Sequence, residues 1–144
     1  MLLNKSGDVF VGNRIDTPGD HWQMPQGGIE ADENPRDAAF RELYEETGVV
    51  NALLIKEARH PIRYDLPPEL SETVWGGRYR GQEQVWFAML FLGEDSDVQL
   101  DLHEREFSEW RWSPKDELVA NIVSFKQSIY EEVLAEFEGL TWES

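Results

Sequence analysis

Residues 27–50 read GGIEADENPRDAAFRELYEETGVV and contain the firmest secondary-structure signal in the chain. Asn34 suits the N-cap of a helix, and Pro35 suits its first position because proline is preset to helical φ and needs no N–H partner there. Gly48 suits the position just after a helix, where the backbone turns left-handed. The spacing therefore predicts a helix over 35–47, with its packing stripe formed by Ala38, Ala39 and Leu43.

The polar side of this helix carries three glutamates, Glu42, Glu45 and Glu46, at positions i, i+3 and i+4. Their side chains share one face, and like charges at these spacings destabilise an isolated helix. One interpretation is a solvated acidic face beside Arg41. The other is a set of oxygen ligands for a hard divalent cation such as Mg²⁺, which would bridge a polyphosphate and activate a bound water.

Composition places the chain among globular proteins and excludes several classes. Its 144 residues fit one domain spanning 1–144, with 40% apolar and 29% charged residues. There is no Cys, which excludes disulfide frameworks, thiolate metal sites and cysteine nucleophiles and favours the cytoplasm. The net charge of −16 argues against binding of duplex nucleic acid. The longest apolar run, 85–92, is too short to span a membrane.

The rest of the chain alternates strand and helix signals. Because the chain starts inside a strand-like apolar run, we expect a short stretch ahead of it to be missing. The Val85–Leu92 run is apolar on both faces, as in a central strand covered on both sides. Together the elements predict a mixed α/β sandwich. The other predicted elements are a hairpin of Met1–Asn4 and Asp8–Asn13, one or two strands in Val49–Arg63, a long loop over Asp65–Gly81, a strand over Phe107–Trp112 with both tryptophans on one face, and a final helix over about Ile122–Phe137.

The glutamates belong to a longer pattern: a glycine, five residues, Glu, seven residues, then Arg-Glu-aliphatic-any-Glu-Glu-any-Gly-aliphatic. All nine specified positions match, and the probability of a chance match is on the order of 10⁻¹⁰ per starting point. This pattern is the Nudix box, and the chain resembles a Nudix hydrolase. The resemblance implies the Nudix α/β/α sandwich with a mixed sheet, and metal-dependent hydrolysis of a diphosphate linked to another group. The matching residues are Gly27, Glu33, Arg41, Glu42, Leu43, Glu45, Glu46, Gly48 and Val49.

The resemblance also implies residue roles. Glu42, Glu45 and Glu46 become ligands of two or more Mg²⁺ or Mn²⁺ ions, and a main-chain carbonyl near Gly27 completes a coordination sphere. Arg41 orients the box, and Glu33 holds that arginine rather than the metal. A distant glutamate joins the metal cluster or acts as the base; Glu106 matches it best, and Glu104 is the competing candidate. The implied catalytic residues are therefore Glu45, Glu106 and Arg41.

Three further segments resemble one subgroup, which contains RNA pyrophosphohydrolases and dinucleoside polyphosphate hydrolases. They are Trp22–Ile29 (WQMPQGGI), Tyr79–Phe87 (YRGQEQVWF) and Ser124–Lys126 together with Tyr130. By this resemblance Arg14 and Lys126 contact phosphates, and Tyr79 and Phe125 stack on a base. Plain packing of the two aromatic side chains is the alternative.

The sequence thus predicts a pyrophosphohydrolase of nucleoside 5′-polyphosphates. Two substrates stay open: diadenosine tetraphosphate, cleaved asymmetrically, and the 5′-triphosphate end of RNA. One alternative is hydrolysis of another nucleoside diphosphate derivative, such as an oxidised dNTP or ADP-ribose. A non-catalytic nucleotide sensor is another. The sequence does not predict an oligomeric state.

Overall fold

A computed structural model of the protein describes residues 1–15, 22–26, 32–65, 81–102, 105–122 and 126–140. In these parts of the chain, no helix combines the length and apolar character that crossing a bilayer requires. The described residues contain two α-helices, α1 (Pro35–Thr47) and α2 (Gln127–Glu136). The strands are β1 (Leu2–Leu3), β2 (Val9–Arg14), β3 (Trp22–Gln23), β4 (Ala52–Glu57), β5 (Ile62–Asp65), β6 (Gly81–Gln84), β7 (Phe87–Phe91) and β8 (Phe107–Ser113).

Six strands form one mixed sheet, as the sequence predicts. Its order is β3-β2-β1-β7-β4, and β8 pairs along the whole of β2. The β1–β7 pair is parallel, whereas the other pairs of this sheet are antiparallel. Strands β5 and β6 form a separate antiparallel pair. Strand β7 lies between two neighbours, which confirms that the Val85–Leu92 run contains a central strand.

The two helices cover opposite faces of the sheet. One apolar cluster joins Leu43 of α1 to side chains of β1, β2 and β7, namely Leu2, Phe10, Phe87, Met89 and Phe91. The other cluster joins α2 to the opposite face and includes Leu3, Val9, Val11, Met24, Ala88, Ile129, Tyr130, Val133 and Phe137. This arrangement confirms the predicted α/β/α sandwich.

Helix α1 has the predicted bounds for the predicted reasons. The Asn34 side chain accepts a hydrogen bond from the Arg36 N–H at 2.8 Å, which satisfies one of the free donors of the first turn. Gly48 is left-handed, with φ 74°, and its N–H donates to the Tyr44 carbonyl. A side chain at position 48 would be strained there.

The N-terminal hairpin is also confirmed, with Leu3 opposite Val9. The Val49–Arg63 segment contains two strands, β4 and the start of β5. The predicted Asp65–Gly81 loop ends in β5 and β6, and its residues 66–80 lie outside the described residues.

The prediction for the last helix is wrong at its start. We expected a helix from about Ile122, but α2 begins at Gln127. Ile122 is buried, yet it follows a turn in which the Asn121 N–H and its side-chain amide both donate to the Glu117 carbonyl. Its apolar side chain reaches the core from that turn. The helical spacing of apolar residues in the sequence therefore extends beyond the start of the helix itself. Val123, also within the predicted range of this helix, lies outside the described residues.

The predicted tryptophan face of β8 is confirmed. Trp110 stacks on Phe10 with ring centroids 5.1 Å apart, and Trp112 meets Phe10 edge-on at 5.9 Å. These contacts fix β8 against β2 on the face that α1 covers.

One glycine lets the start of β8 approach β2 closely. A Cβ on Gly12 would lie 2.4 Å from the buried ring of Phe107, so only glycine fits under that ring. The β2–β8 register shifts directly afterwards, between Asn13 and Arg14, as in a β-bulge. The Ile15 N–H then donates to the Glu106 carbonyl at 3.0 Å. The close approach and the bulge together bring Arg14 and Glu106 to the same end of the sheet.

Candidate active site

The Arg41 guanidinium forms the centre of an ion cluster on the polar side of α1. It contacts Glu33 through two bonds, Nε to Oε2 at 2.8 Å and Nη2 to Oε1 at 2.9 Å. Its Nη1 donates to Glu42 Oε1 at 2.9 Å and to Glu45 Oε2 at 3.0 Å. The planar fork of arginine suits such bidentate contacts. Arg41 therefore fixes three carboxylates at once.

Glu42 lies at the edge of a second group of acidic side chains. Partial burial raises the pKa of its carboxyl, Arg41 lowers it, and the charges of Glu45 and Glu106 raise it. Glu106, the residue before β8, is therefore one of the charges that act on Glu42.

Glu46 is the most perturbed carboxyl in the described chain. Its side chain is 3% exposed, and within the described residues neither of its oxygens has a hydrogen-bond partner. Burial raises the pKa of Glu46 to about 10. The neighbouring Glu106 carboxyl and the negative charges of Glu106 and Glu42 raise this pKa further, while Arg14 lowers it. Near neutral pH this carboxyl must therefore bind either a proton or another cation.

These residues fit a hard divalent cation. A buried carboxylate without a donor, beside a second carboxylate, offers the oxygen ligands that Mg²⁺ and Mn²⁺ prefer. In the part of the chain that the structure describes, however, no three acidic side chains converge as one metal site. Glu42 and Glu45 contact Arg41 instead. The ligand role of the three helix glutamates thus stays a prediction, and Glu46 is the member that most needs a cation.

Arg14 supplies positive charge beside Glu106. Its Nη1 lies 4.0 Å from Glu106 Oε2, and the two side chains are 25% and 38% exposed. A pair this open to solvent contributes little to stability. Arg14 remains accessible enough to contact an anionic substrate.

Comparison with known proteins identifies the family of this chain. The sequence profile of the NUDIX domain matches residues 1–133. This chain belongs to the Nudix family. It is 52% identical over 139 residues to an RNA pyrophosphohydrolase of Rhodospirillum rubrum, covering 96% of this chain and 84% of that protein. It is 53% identical over 141 residues to an RNA pyrophosphohydrolase of Roseobacter denitrificans, covering 96% and 88% respectively.

Solved structures confirm the Nudix fold. The Ap4A hydrolase of C. elegans, in a binary complex, superposes with a TM-score of 0.64 over 96% of both chains, at 18% identity. The E. coli dihydroneopterin triphosphate pyrophosphohydrolase gives a TM-score of 0.72 at 20% identity, over 93% of this chain and 90% of that one. At such low identity these likenesses concern the fold alone.

The predicted site residues of this Nudix hydrolase fall into three groups. Lys126 lies immediately before α2, in the layer on the other side of the sheet from α1. Gly27, Tyr79, Glu104 and Phe125 lie outside the described residues. The structure brings together Glu33, Arg41, Glu42, Glu45, Glu46, Glu106 and Arg14 around the polar side of α1.

Sequence reasoning assigned no role to two buried polar groups of this enzyme. The Tyr130 hydroxyl accepts a hydrogen bond from the Met24 N–H at 2.8 Å, and burial, with a contribution from the charge of Glu46, raises the pKa of Tyr130. Gln23, in β3, is 3% exposed. Both residues occur in segments that resemble the subgroup, but resemblance alone gave no chemistry for them. The only sequence signal for Gln23 was that a polar residue stands between the apolar Trp22 and Met24, which in a strand places it on the opposite face from both.

Proposed function

We propose that this Nudix hydrolase is a metal-dependent pyrophosphohydrolase that converts the 5′-triphosphate end of RNA to a 5′-monophosphate. Water adds to a phosphorus of the chain, a P–O–P bond breaks, and pyrophosphate leaves. The buried Glu46 carboxylate beside Glu106 is the observation that carries the reaction type, since it needs a cation that a phosphate chain can share. Relatives named RNA pyrophosphohydrolase, more than 50% identical over nearly the whole chain, support RNA as the substrate.

Glu42, Glu45, Glu46 and Glu106 would hold two or more Mg²⁺ or Mn²⁺ ions, with a main-chain carbonyl near Gly27. Such ions supply charge neutralisation of the phosphates and a bound water of lowered pKa. A requirement for metal ions agrees with the net charge of −16, because so acidic an enzyme needs cations to bind an anionic polyphosphate.

The chain's own residues would position the reactants. Arg41 holds Glu42 and Glu45 at 2.9 and 3.0 Å, which fixes their carboxylates in orientation. Glu106, about two-fifths exposed, would accept a proton from the attacking water. Arg14 would contact the phosphate chain.

The nucleoside end of the substrate would meet residues near the start of α2 and in the segment before β6. We assign Lys126 to a phosphate, and Tyr79 and Phe125 to stacking on the terminal bases. Because the surface is so acidic, only the terminal nucleotides of an RNA would be bound. We place the enzyme in the cytoplasm, which agrees with its lack of cysteine.

The test is product analysis with Mg²⁺ on a 5′-triphosphorylated RNA oligonucleotide and on diadenosine tetraphosphate. We expect monophosphorylated RNA and pyrophosphate, released with the higher kcat/KM of the two substrates. Glu45→Gln should abolish turnover without unfolding the protein, whereas Glu109→Gln, an exposed carboxylate on β8, should retain it. A preference for ADP-ribose or an oxidised dNTP over both substrates would contradict the proposal. Nucleotide binding without turnover would instead indicate a sensor.

A further inference from the structure

The Gln23 side chain is a buried hydrogen-bond donor that has no partner in the described part of the chain. It is 3% exposed, and among the described residues no acceptor lies within hydrogen-bond distance of its Nε2. An amide N–H that is removed from water and left unpaired is unfavourable. A buried donor of this kind indicates an acceptor that the described residues do not supply.

The register of β3 places this amide on the catalytic face of the sheet. Trp22 and Met24 pack with the apolar cluster that α2 covers. Because successive side chains of a strand alternate, Gln23 points to the opposite face, the one that α1 covers.

Strand pairing also places Gln23 near Arg14. Gln23 lies opposite Gly12, and Arg14 follows two residues later on the same strand. Diagonal neighbours of this kind lie about 7–8 Å apart, within reach of long side chains. Arg14 in turn acts on Glu46 and lies 4.0 Å from Glu106. The unpaired amide therefore belongs to the neighbourhood of the candidate active site.

The backbone around Gln23 is held firmly. The next residue, Met24, donates its N–H to the buried Tyr130 hydroxyl at 2.8 Å. The preceding residue, Trp22, lies under the Arg111 guanidinium, 4.1 Å from ring centroid to Cζ, and its N–H donates to the Asn121 carbonyl. A donor on such a fixed strand is preorganised, so little conformational entropy is lost when it binds a ligand.

The chemistry of an amide nitrogen defines the ligand. Nε2 only donates, so it cannot coordinate a cation, and it needs an oxygen acceptor. Near Arg14 and a divalent-cation site, the acceptor that the substrate brings is a phosphate oxygen. We propose that Gln23 is a substrate-binding residue whose Nε2 donates to a non-bridging phosphate oxygen of the bound polyphosphate. This inference rests on the proposed pyrophosphohydrolase function.

The experiment compares Gln23→Met, which keeps length but removes the donor, with Gln23→Glu, which places a negative charge beside the phosphate. Gln99→Met is the matched control, because Gln99 is exposed and lies outside the candidate site. Four quantities are measured in Mg²⁺: kcat and KM for a triphosphorylated RNA oligonucleotide, the Mg²⁺ concentration for half-maximal activity, the Kd of inorganic pyrophosphate by calorimetry, and Tm.

We expect Gln23→Met to weaken pyrophosphate binding and to lower kcat/KM, each about tenfold or more, as for a lost hydrogen bond to a charged group. Gln23→Glu should have a larger effect. Neither the Mg²⁺ requirement nor the Tm of Gln23→Met should worsen, because the methionine leaves no unpaired donor. If Gln23→Met does not fold, Gln23→Asn, which retracts the amide by one methylene, should show the same weaker binding.

The proposal would be overturned if Gln23→Met changed Tm alone and kept the pyrophosphate Kd and kcat/KM of the wild type. The partner of the Gln23 amide would then be a water molecule. A change confined to the Mg²⁺ requirement would overturn it as well. If the wild type leaves triphosphorylated RNA intact, the proposed function fails, and the pyrophosphate Kd still decides the role of Gln23.

Discussion

Glu46→Gln is expected to lower kcat for pyrophosphate release by about a thousandfold or more, comparable to other losses of transition-state charge stabilisation. The same substitution should relieve an electrostatic cost in the metal-free protein. Both effects have one cause: a carboxylate that is buried beside Glu106, lacks a hydrogen-bond donor in the described chain, and is favourable only when a cation binds it.

The pH dependence of stability follows from the pKa of Glu46. That pKa is about 10 in the folded protein, against 4.5 for a free glutamate. Below pH 4.5 both states carry the proton, and the carboxyl has no net effect. As the pH rises above 4.5, the unfolded chain releases the proton while the folded chain retains it, so the metal-free protein loses about 1.4 kcal/mol per pH unit at most.

Melting curves of wild type and Glu46→Gln in EDTA, from pH 5 to pH 8, measure this effect. The Tm of the variant minus that of the wild type should increase with pH, and added Mg²⁺ should raise the Tm of the wild type far more than that of the variant. Glu109→Gln, at an exposed position of β8, should show neither trend. A Tm difference independent of pH, with equal Mg²⁺ responses, would contradict this assignment of Glu46.

Arg41→Met is expected to lower kcat about a hundredfold while leaving the Mg²⁺ concentration for half-maximal activity unchanged or lower. The guanidinium makes four hydrogen bonds to Glu33, Glu42 and Glu45. Its removal leaves the carboxylates free to rotate, which misplaces reacting groups. It also removes a positive charge beside the cation site, and this change favours binding of Mg²⁺.

The experiment is a Mg²⁺ titration of activity for the wild type, Arg41→Met and Arg41→Lys. Lysine keeps the charge but lacks the planar fork, so we expect it to recover only a small part of kcat. In EDTA, Arg41→Met should also lower the free energy of unfolding by about 2 kcal/mol, because the carboxylates that Arg41 contacts then repel one another. The loss stays this small because the cluster is only partly buried and solvent screens the repulsion. An unchanged kcat at saturating Mg²⁺ with a higher Mg²⁺ requirement would show that Arg41 serves metal binding instead of orientation.

Sequence signals predicted a helix boundary well where capping residues at that boundary determine it. Helix α1 was predictable at both ends because Asn34, Pro35 and Gly48 act through their own backbone geometry. The start of α2 was not predictable, because Ile122 is buried from a turn and continues the apolar pattern of the helix behind it.

In the candidate site, too, some features were predictable from the sequence and others only from the structure. The glutamates of α1 were found from their spacing and from the Nudix box. The resemblance implied the contact of Arg41 with Glu33, whereas its additional contacts with Glu42 and Glu45 depend on side-chain conformation, which spacing does not determine. The unpaired amide of Gln23 depends on strand register and on burial by distant segments, so only the three-dimensional structure identifies it.

The account rests on a divalent cation at Glu46, and anomalous diffraction from crystals grown with Mn²⁺ and inorganic pyrophosphate locates such an ion directly. The account predicts a manganese peak within about 2.3 Å of a Glu46 carboxylate oxygen, as expected for Mn–O coordination. Glu106 should take part in the same cluster. A structure in which pyrophosphate is bound, no metal lies near Glu46 and this carboxyl stays protonated would contradict the account.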